Sequence, residues 1–234
     1  MQANPDLAEI ASLIGDSSRS AMLMRLFGGE ALPAGELARA ARISPQTASS
    51  HLAKLVEGGL LVQETYGRHR YYRLAGAEVA HALEALCTIA PRKPIRSLRE
   101  SDRSRALRYA RTCYDHIAGE VGVALTAKLL ELGCIEEVEE DGRSYALTPA
   151  GAARLERFGV PADEWKRKRG RRRFARPCLD WSERRHHLAG SLGAALTARL
   201  FALGWLERIP GGRAVRVTEA GVDGFRSEFS IDLR

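Results

Sequence analysis

Ile43-Ser44-Pro45-Gln46-Thr47-Ala48-Ser49-Ser50-His51-Leu52-Ala53-Lys54-Leu55 runs into Val56-Glu57-Gly58-Gly59-Leu60-Leu61-Val62. This stretch reads as a helix with a defined start and stop. Ser44 is suited to the N-cap, where its hydroxyl accepts a hydrogen bond from an amide of the first turn. Pro45 follows at the first helical position, where a missing N–H costs nothing. Gly58-Gly59 end the helix, because glycine adopts the left-handed conformation cheaply. Ala48, Leu52, Leu55 and Val56 share one face at helical spacing. The other face carries Gln46, Thr47, Ser49, Ser50 and Lys54, and is free of acid until Glu57. Such a face suits a DNA major groove, where short hydroxyls and an amide reach phosphates and base edges.

Outward from it, Asp6–Ile14 and Ser17–Phe27 have helical spacing of apolar residues, and Gly28-Gly29 stop the second helix. A short helix over Glu36–Ala41 carries Leu37 inward, and Ile43-Ser44 turns into the capped helix. A short helix, a tight turn and a capped second helix make a helix-turn-helix. Leu60–Thr65 then reads as a strand, Tyr66-Gly67-Arg68 as a turn and His69–Leu74 as the return strand. This hairpin is a wing, and Arg68, His69 and Arg70 at its tip suit phosphate or minor-groove contact. The DNA-contacting set expected is Ser44, Gln46, Thr47, Ser49, Ser50, His51, Lys54, Arg68, His69 and Arg70. A last amphipathic helix, Ala77–Ile89, presents Val79, Leu83, Leu86 and Ile89. With the first helix it offers more apolar surface than one small core needs, so a dimer interface is expected.

The 234 residues are 45% hydrophobic and 28% charged, as in a globular protein of one or two domains. No apolar run approaches the roughly 20 residues of a membrane span. The start Met1-Gln2-Ala3-Asn4-Pro5 lacks a signal-peptide core. Four cysteines without a C-x-x-C give no disulfide framework, so a reducing cytoplasm is expected. The formal charge of +7 suits a polyanion. It is uneven: residues 1–90 carry net −1 and residues 91–234 net +8. Between Arg42 and Arg73, however, five cations face only Glu57 and Glu64. The N-terminal part is polarised, with one side fit for DNA.

Ile10-Ala11-Ser12-Leu13-Ile14-Gly15-Asp16, Leu32-Pro33-Ala34-Gly35-Glu36-Leu37-Ala38 and Ser44-Pro45-Gln46-Thr47-Ala48-Ser49-Ser50-His51-Leu52 together resemble the ArsR/SmtB family of bacterial repressors. The resemblance covers about residues 7–90. It implies a homodimeric winged-helix repressor that pairs through its first and last helices and releases operator DNA when an inducer binds. Where metal sensors of that family place cysteines, Glu36–Ala41 has no thiol and no imidazole. Others use the last helix, where only His81 and Glu84 stand here, at i and i+3. That pair is expected to lie on a solvated helix face.

Ala90-Pro91-Arg92-Lys93-Pro94-Ile95-Arg96-Ser97 breaks the helical pattern, with a polar helix expected from about Asp102. Beyond it lies a repeat. Residues 116–136 match residues 187–207 at 12 of 21 positions, including His116/His187, Gly122/Gly193 and the Ala-Leu-Thr-Ala of both. Two copies of one supersecondary unit are implied. Each continues as strand, glycine turn, strand and helix, closing with Ala-Gly at Ala150-Gly151 or Ala220-Gly221. The fold class expected is mainly α with small β-hairpins (α+β): a winged helix-turn-helix over 1–90, a linker over 91–103, and two degenerate winged-helix-like repeats in 104–234, about 104–160 and 176–234.

In the repeats the helices corresponding to the capped one, Val123–Leu132 and Ala194–Leu203, are apolar, as suits packing. The first repeat's wing is acidic at Glu136, Glu137, Glu139, Glu140 and Asp141. A sensory or dimer-bracing role is therefore expected. Between the repeats, Lys166–Arg173 holds seven cations in eight residues, suited to non-specific DNA support or to anion capture.

Reactive side chains gather before each repeat's His-x-Ala-Gly. An effector site is expected from Cys113, Tyr114, His116, Cys178, Trp181, Arg184, His186 and His187. Four readings stand side by side. His116 and His187 would serve only to cap or bridge their own units; Tyr114, Trp181 and an arginine would hold an organic ligand; Cys113 and His116 with Cys178 and His186 or His187 would give two thiolates and two imidazoles for a tetrahedral soft metal ion; Cys113 and Cys178 would form a redox switch. No cofactor is otherwise implied. The function expected is transcriptional regulation through double-stranded DNA by a homodimer. A thiol enzyme is the contrasting class, but no nucleophile elbow, phosphate loop or cysteine-protease signature supports it.

Overall fold

The computed structural model describes residues 4–67, 69–91, 94–95, 97–138, 144–160 and 174–233. Arg68, the basic run Lys166–Arg173 and the wing acids Glu139, Glu140 and Asp141 lie outside the described residues. The chain divides into two compact units, Met1–Ala82 and Leu83–Arg234.

In the first unit, α1 (Leu7–Gly15) and α2 (Ser17–Leu26) are each opened by an aspartate. Asp6 Oδ1 accepts from Glu9 N at 3.0 Å, and Asp16 Oδ1 from Arg19 N at 2.9 Å. A two-residue strand, β1 (Leu32–Pro33), precedes α3 (Ala34–Ala41). Arg42 then takes the left-handed conformation that turns the chain into α4 (Pro45–Glu57). The capping expected of Ser44 is present, with Thr47 N donating to its Oγ at 3.1 Å. Strands β2 (Leu61–Tyr66) and β3 (His69–Leu74) pair antiparallel from Leu61↔Leu74 to Tyr66↔His69. β1 adds to the free edge of β3, giving a sheet of order β1-β3-β2. Period-2 reasoning missed β1 because two residues carry no alternation. The unit closes around Met22, Leu23, Leu26, Phe27, Leu37, Leu52, Leu55, Leu61 and Leu74, all almost fully buried.

Helix α5 (Ala77–Ile89) crosses the division between the units. α6 (Leu98–Tyr109) starts four residues before the expected Asp102. Ser97 caps it by accepting from Glu100 N at 3.2 Å.

The second unit holds the two repeats. The first is β4 (Arg111–Cys113), β5 (His116–Ala118), α7 (Gly119–Glu131), β6 (Ile135–Glu137), β7 (Tyr145–Leu147) and α8 (Pro149–Arg157). The second is β8 (Arg176–Leu179), β9 (His186–Ala189), α9 (Gly190–Ala202), β10 (Leu206–Arg208), β11 (Val215–Val217) and α10 (Glu219–Phe229). Each keeps the helix, hairpin and helix of a winged unit. A second hairpin stands in front, where a helix-turn-helix would have its first helices.

The repeats are knitted reciprocally. Ile117 N donates to Thr197 Oγ1 and Leu188 N to Thr126 Oγ1, both at 2.8 Å. Val215 N donates to Ala110 O at 3.0 Å, and Tyr145 N to Ala175 O at 3.1 Å. Each repeat thus satisfies the other's backbone, and one hydrophobic core runs through both, from Val121 and Leu125 to Leu196, Phe225 and Phe229. Helix packing this close needs glycine. A Cβ on Gly122 would lie 2.5 Å from Ile117 O, and one on Gly193 2.3 Å from Leu188 O.

Candidate functional site

On α4, Ala48, Leu52 and Leu55 are buried while Ser44, Gln46, Thr47, Ser49, Ser50 and Lys54 are exposed. Not every polar atom of this face is free. Ser44 Oγ and Thr47 Oγ1 share a hydrogen bond of 2.8 Å, and Ser49 Oγ donates to Pro45 O at 2.9 Å. Gln46, Ser50 and Lys54 lie beside them on the same exposed face. His51 is turned toward α2, half-buried, with Nδ1 3.3 Å from an Arg19 guanidinium nitrogen. On the wing, His69 and Arg70 are exposed. Arg73 instead pairs with Glu64 across the strands at 2.5 Å.

The second unit contains a buried polar centre. In β4–β5 the register sets Cys113 opposite His116, and in β8–β9 it sets Cys178 opposite His187. Residues opposite one another in an antiparallel pair point to the same face. Each hairpin therefore delivers one thiol and one imidazole side by side. The reciprocal packing brings the two pairs together, so that one donor atom from each of the four residues lies within 4.8 Å of the others. All four are buried, Cys178 at 6% exposure and the rest at 2% or less. Strand alternation decides between the adjacent histidines: His187 points inward and His186 is exposed.

Carboxylates stand behind both rings. Asp115 Oδ1 lies 3.2 Å from His116 Nδ1. Asp180 Oδ2 lies 3.2 Å from His187 Nδ1, an ion-pair distance at an angle short of a good hydrogen bond. The two Nε2 atoms face each other at 3.2 Å. Burial opposes charge on both rings, but Cys113 with Asp115 for His116, and Asp180 with Cys113 for His187, leave both pKa values raised. A hydrogen bond with Cys178, together with burial, pushes the Cys113 thiol up to about 12.

Behind this centre runs a chain of buried charge. Asp180 Oδ2 accepts Gly119 N at 2.7 Å and pairs with Arg111 Nη2 at 2.9 Å. Arg111 Nη2 also reaches Glu84 Oε1 at 3.2 Å, and Arg213 Nη1 meets Glu84 Oε2 at 3.0 Å. Arg111 is fully buried and stacks over Trp181, 4.6 Å from the ring centroid. The solvated face expected for His81 and Glu84 is corrected by this arrangement for Glu84. It is 1% exposed, because two guanidinium groups compensate its charge. Burial alone would raise the Glu84 and Asp180 pKa values. Arg213 and Arg111 for the first, and His187 and Arg111 for the second, hold both below the usual carboxylate range.

The remaining expected effector residues do not join the centre's donor set. Tyr114 is half-buried in the β4–β5 turn with positive φ, and Arg184 is exposed, also at positive φ. Trp181 is occupied by Arg111. Sequence reasoning underrated Arg111, Asp180 and Glu84. The signal present was their place in or beside the clusters rich in ionisable residues. The equivalence of Cys113 with Cys178 was hidden because the first hairpin has two residues between Cys and His and the second has eight.

Residues 8–64 match the model of a helix-turn-helix domain family. Over 230 residues, 98% of this chain and 100% of the relative, the sequence is 45% identical to YdfF of Bacillus subtilis (strain 168), described as an uncharacterized HTH-type transcriptional regulator. The chain belongs to the HTH-type transcriptional regulators. Its N-terminal unit carries the helix-turn-helix DNA-binding domain of that family. Two solved structures are similar over a little more than a third of the chain. The winged helix-turn-helix domain of Mb0332 from Mycobacterium bovis, a possible ArsR-family regulator, is 26% identical, covering 37% of this chain and 86% of that one, with a TM-score of 0.32. The transcriptional repressor BigR from Xylella fastidiosa is 26% identical, covering 37% and 88%, with a TM-score of 0.34. Among the described residues no helix is long and apolar enough to cross a membrane.

Proposed function

We propose that this regulator is a homodimeric repressor that holds operator DNA through α4 and the wing and releases it when an effector occupies the second unit. The observation that carries the reading is the capped polar face of α4, free of acid until Glu57 and exposed in a chain related over 98% of its length to a transcriptional regulator. Gln46, Ser50 and Lys54 supply an amide, a hydroxyl and a cation. Thr47 and Ser49, whose hydroxyls are already hydrogen-bonded locally, keep lone pairs to accept with. Ser44, His69 and Arg70, with Arg68, complete the proposed contact set, while His51, turned toward Arg19, would act on this face by positioning α4. For dimerisation, α1 has no buried residue and exposes Leu7, while α5 exposes Leu86 and Ile89. Such apolar helix faces suit a second copy. A regulator of this kind works where the chromosome is, in the cytoplasm.

Footprinting on DNA upstream of the protein's own gene, with sedimentation of the free protein, tests this reading. A protected palindrome and a dimer are expected. Protection without sequence preference would instead mark a general DNA-coating protein.

Two substitutions separate reading from holding. Gln46→Ala is expected to narrow the gap between operator and mismatched sites by about 1–3 kcal/mol. Arg70→Ala should weaken binding to all sequences alike and lower the slope of log K against log salt by about 1. Competition binding at several salt concentrations reads both. A change of base preference in Arg70→Ala would remove it from the backbone-contact group.

A further inference from the structure

We infer that Cys113, His116, Cys178 and His187 form a tetrahedral site for a zinc-class divalent metal ion, built across the two repeats. Two thiols and two imidazoles are the donor set of a closed zinc site. With metal–nitrogen bonds of about 2.0–2.1 Å, two nitrogen ligands of a tetrahedron stand about 3.3 Å apart. The two Nε2 atoms here stand 3.2 Å apart. The other donors fall within the same small sphere.

The carboxylates sharpen the argument. Asp115 and Asp180 stand beside the Nδ1 atoms, the outer partners that hold a metal-bound imidazole with its Nδ1–H turned away. When both Nδ1 atoms carry the proton, the Nε2 lone pairs converge on one another. Two facing lone pairs at this distance repel unless a cation lies between them. A single hydrogen bond between the rings would account for the imidazoles, but not for two buried thiols at the same point. Cys87 and Cys134, the other cysteines, lie outside the cluster.

The site also has an outlet. His187 leads to Asp180, Asp180 to Arg111, and Arg111 to Glu84 on α5. Occupancy would pull His187 and reset the carboxylate that Arg111 shares with α5. This regulatory consequence rests on the repressor reading, whereas metal binding does not. Balance is simple: each thiol gives up its proton to solvent as its sulfur bonds the ion, and no redox change is involved.

The test is cobalt(II) titration of the reduced full-length protein without DNA. One equivalent per chain should give the intense d–d bands of tetrahedral cobalt with thiolate charge transfer, and zinc should displace it. Cys178→Ser should lower the affinity by about 100-fold or more and weaken the charge-transfer band. Asp115→Asn, on a half-exposed outer partner, should cost about tenfold. Cys134→Ser should leave the bands intact. Should Cys178→Ser fail to fold, native mass spectrometry of the wild type reads the same point, with one zinc per chain removed by chelator. Absence of tetrahedral bands, bands unchanged in folded Cys178→Ser, or a Cys113–Cys178 disulfide with no metal uptake would overturn the site. DNA shift assays with and without zinc then read the regulatory step separately. Metal binding without change in DNA affinity would overturn the coupling and leave the site standing.

Discussion

Arg111→Met should lower the stability of the second unit by about 3–5 kcal/mol. Arg111 is fully buried and stands between Glu84 and Asp180, with further bonds to Ser182 Oγ at 3.1 Å and Leu107 O at 3.2 Å. A methionine fills much of its volume but returns no charge. Asp180 then loses its guanidinium partner, and Glu84 keeps Arg213 alone. A buried carboxylate left short of a cation is the costly outcome, more so than loss of the pair itself. For a unit of this size the melting temperature should drop by roughly 10 °C. The pH dependence identifies the cause. Both carboxylates have folded pKa values below their unfolded ones. Their stabilisation is present above about pH 4 and is lost as pH falls through the folded values. Wild type should therefore lose stability in acid faster than Arg111→Met, and the gap between them should close. Thermal melts followed by circular dichroism from neutral pH to below 4 check this. A gap independent of pH would mean that Arg111 acts by packing.

Gly193→Ala is expected to destabilise the second unit by about 1–3 kcal/mol or more. Its Cβ would fall 2.3 Å from Leu188 O and 3.4 Å from the Cβ of His116. The first neighbour is backbone of β9, fixed by Leu188 N donating to Thr126, so no rotamer change relieves the clash. Helix α9 must move away from β9, and His116 with it. Gly122→Ala repeats the experiment on the other side, against Ile117 O and the Cβ of His187. Gly212, with open space around its Cβ position, is the comparison and should tolerate alanine. Urea melts rank the three. Equal stability of Gly193→Ala and Gly212→Ala would show that the helix–strand approach can relax.

Much of the first unit was legible because its signals are local. A serine cap, a proline at the first turn and a glycine stop act within a few residues, and Ser44 and Thr47 form the bond they imply. The wing follows from alternation over six-residue strands. The strand β1 was not legible, because its two residues are strand only by virtue of β3 beside them.

In the second unit the repeat itself was plain, as was the pool from which the buried centre is drawn. Cys113, His116 and Cys178 with one of His186 and His187 were already a legible donor set; choosing His187, and bringing the four together, needed the hairpin registers and the reciprocal packing. Glu84 shows the limit best. On the helix pattern it is a polar residue expected to face water. It is buried because Arg111 and Arg213, far along the chain, supply the charges that make burial affordable.

By itself, then, the sequence determined the winged helix-turn-helix, its polar reading face and the doubled unit that follows, since caps, periodicity and repetition are written in neighbouring residues. Only the tertiary structure decided which cysteine meets which histidine and which carboxylate leaves solvent. Both depend on strands and charges brought together across some 30 to 130 residues, where no local preference speaks for the contact.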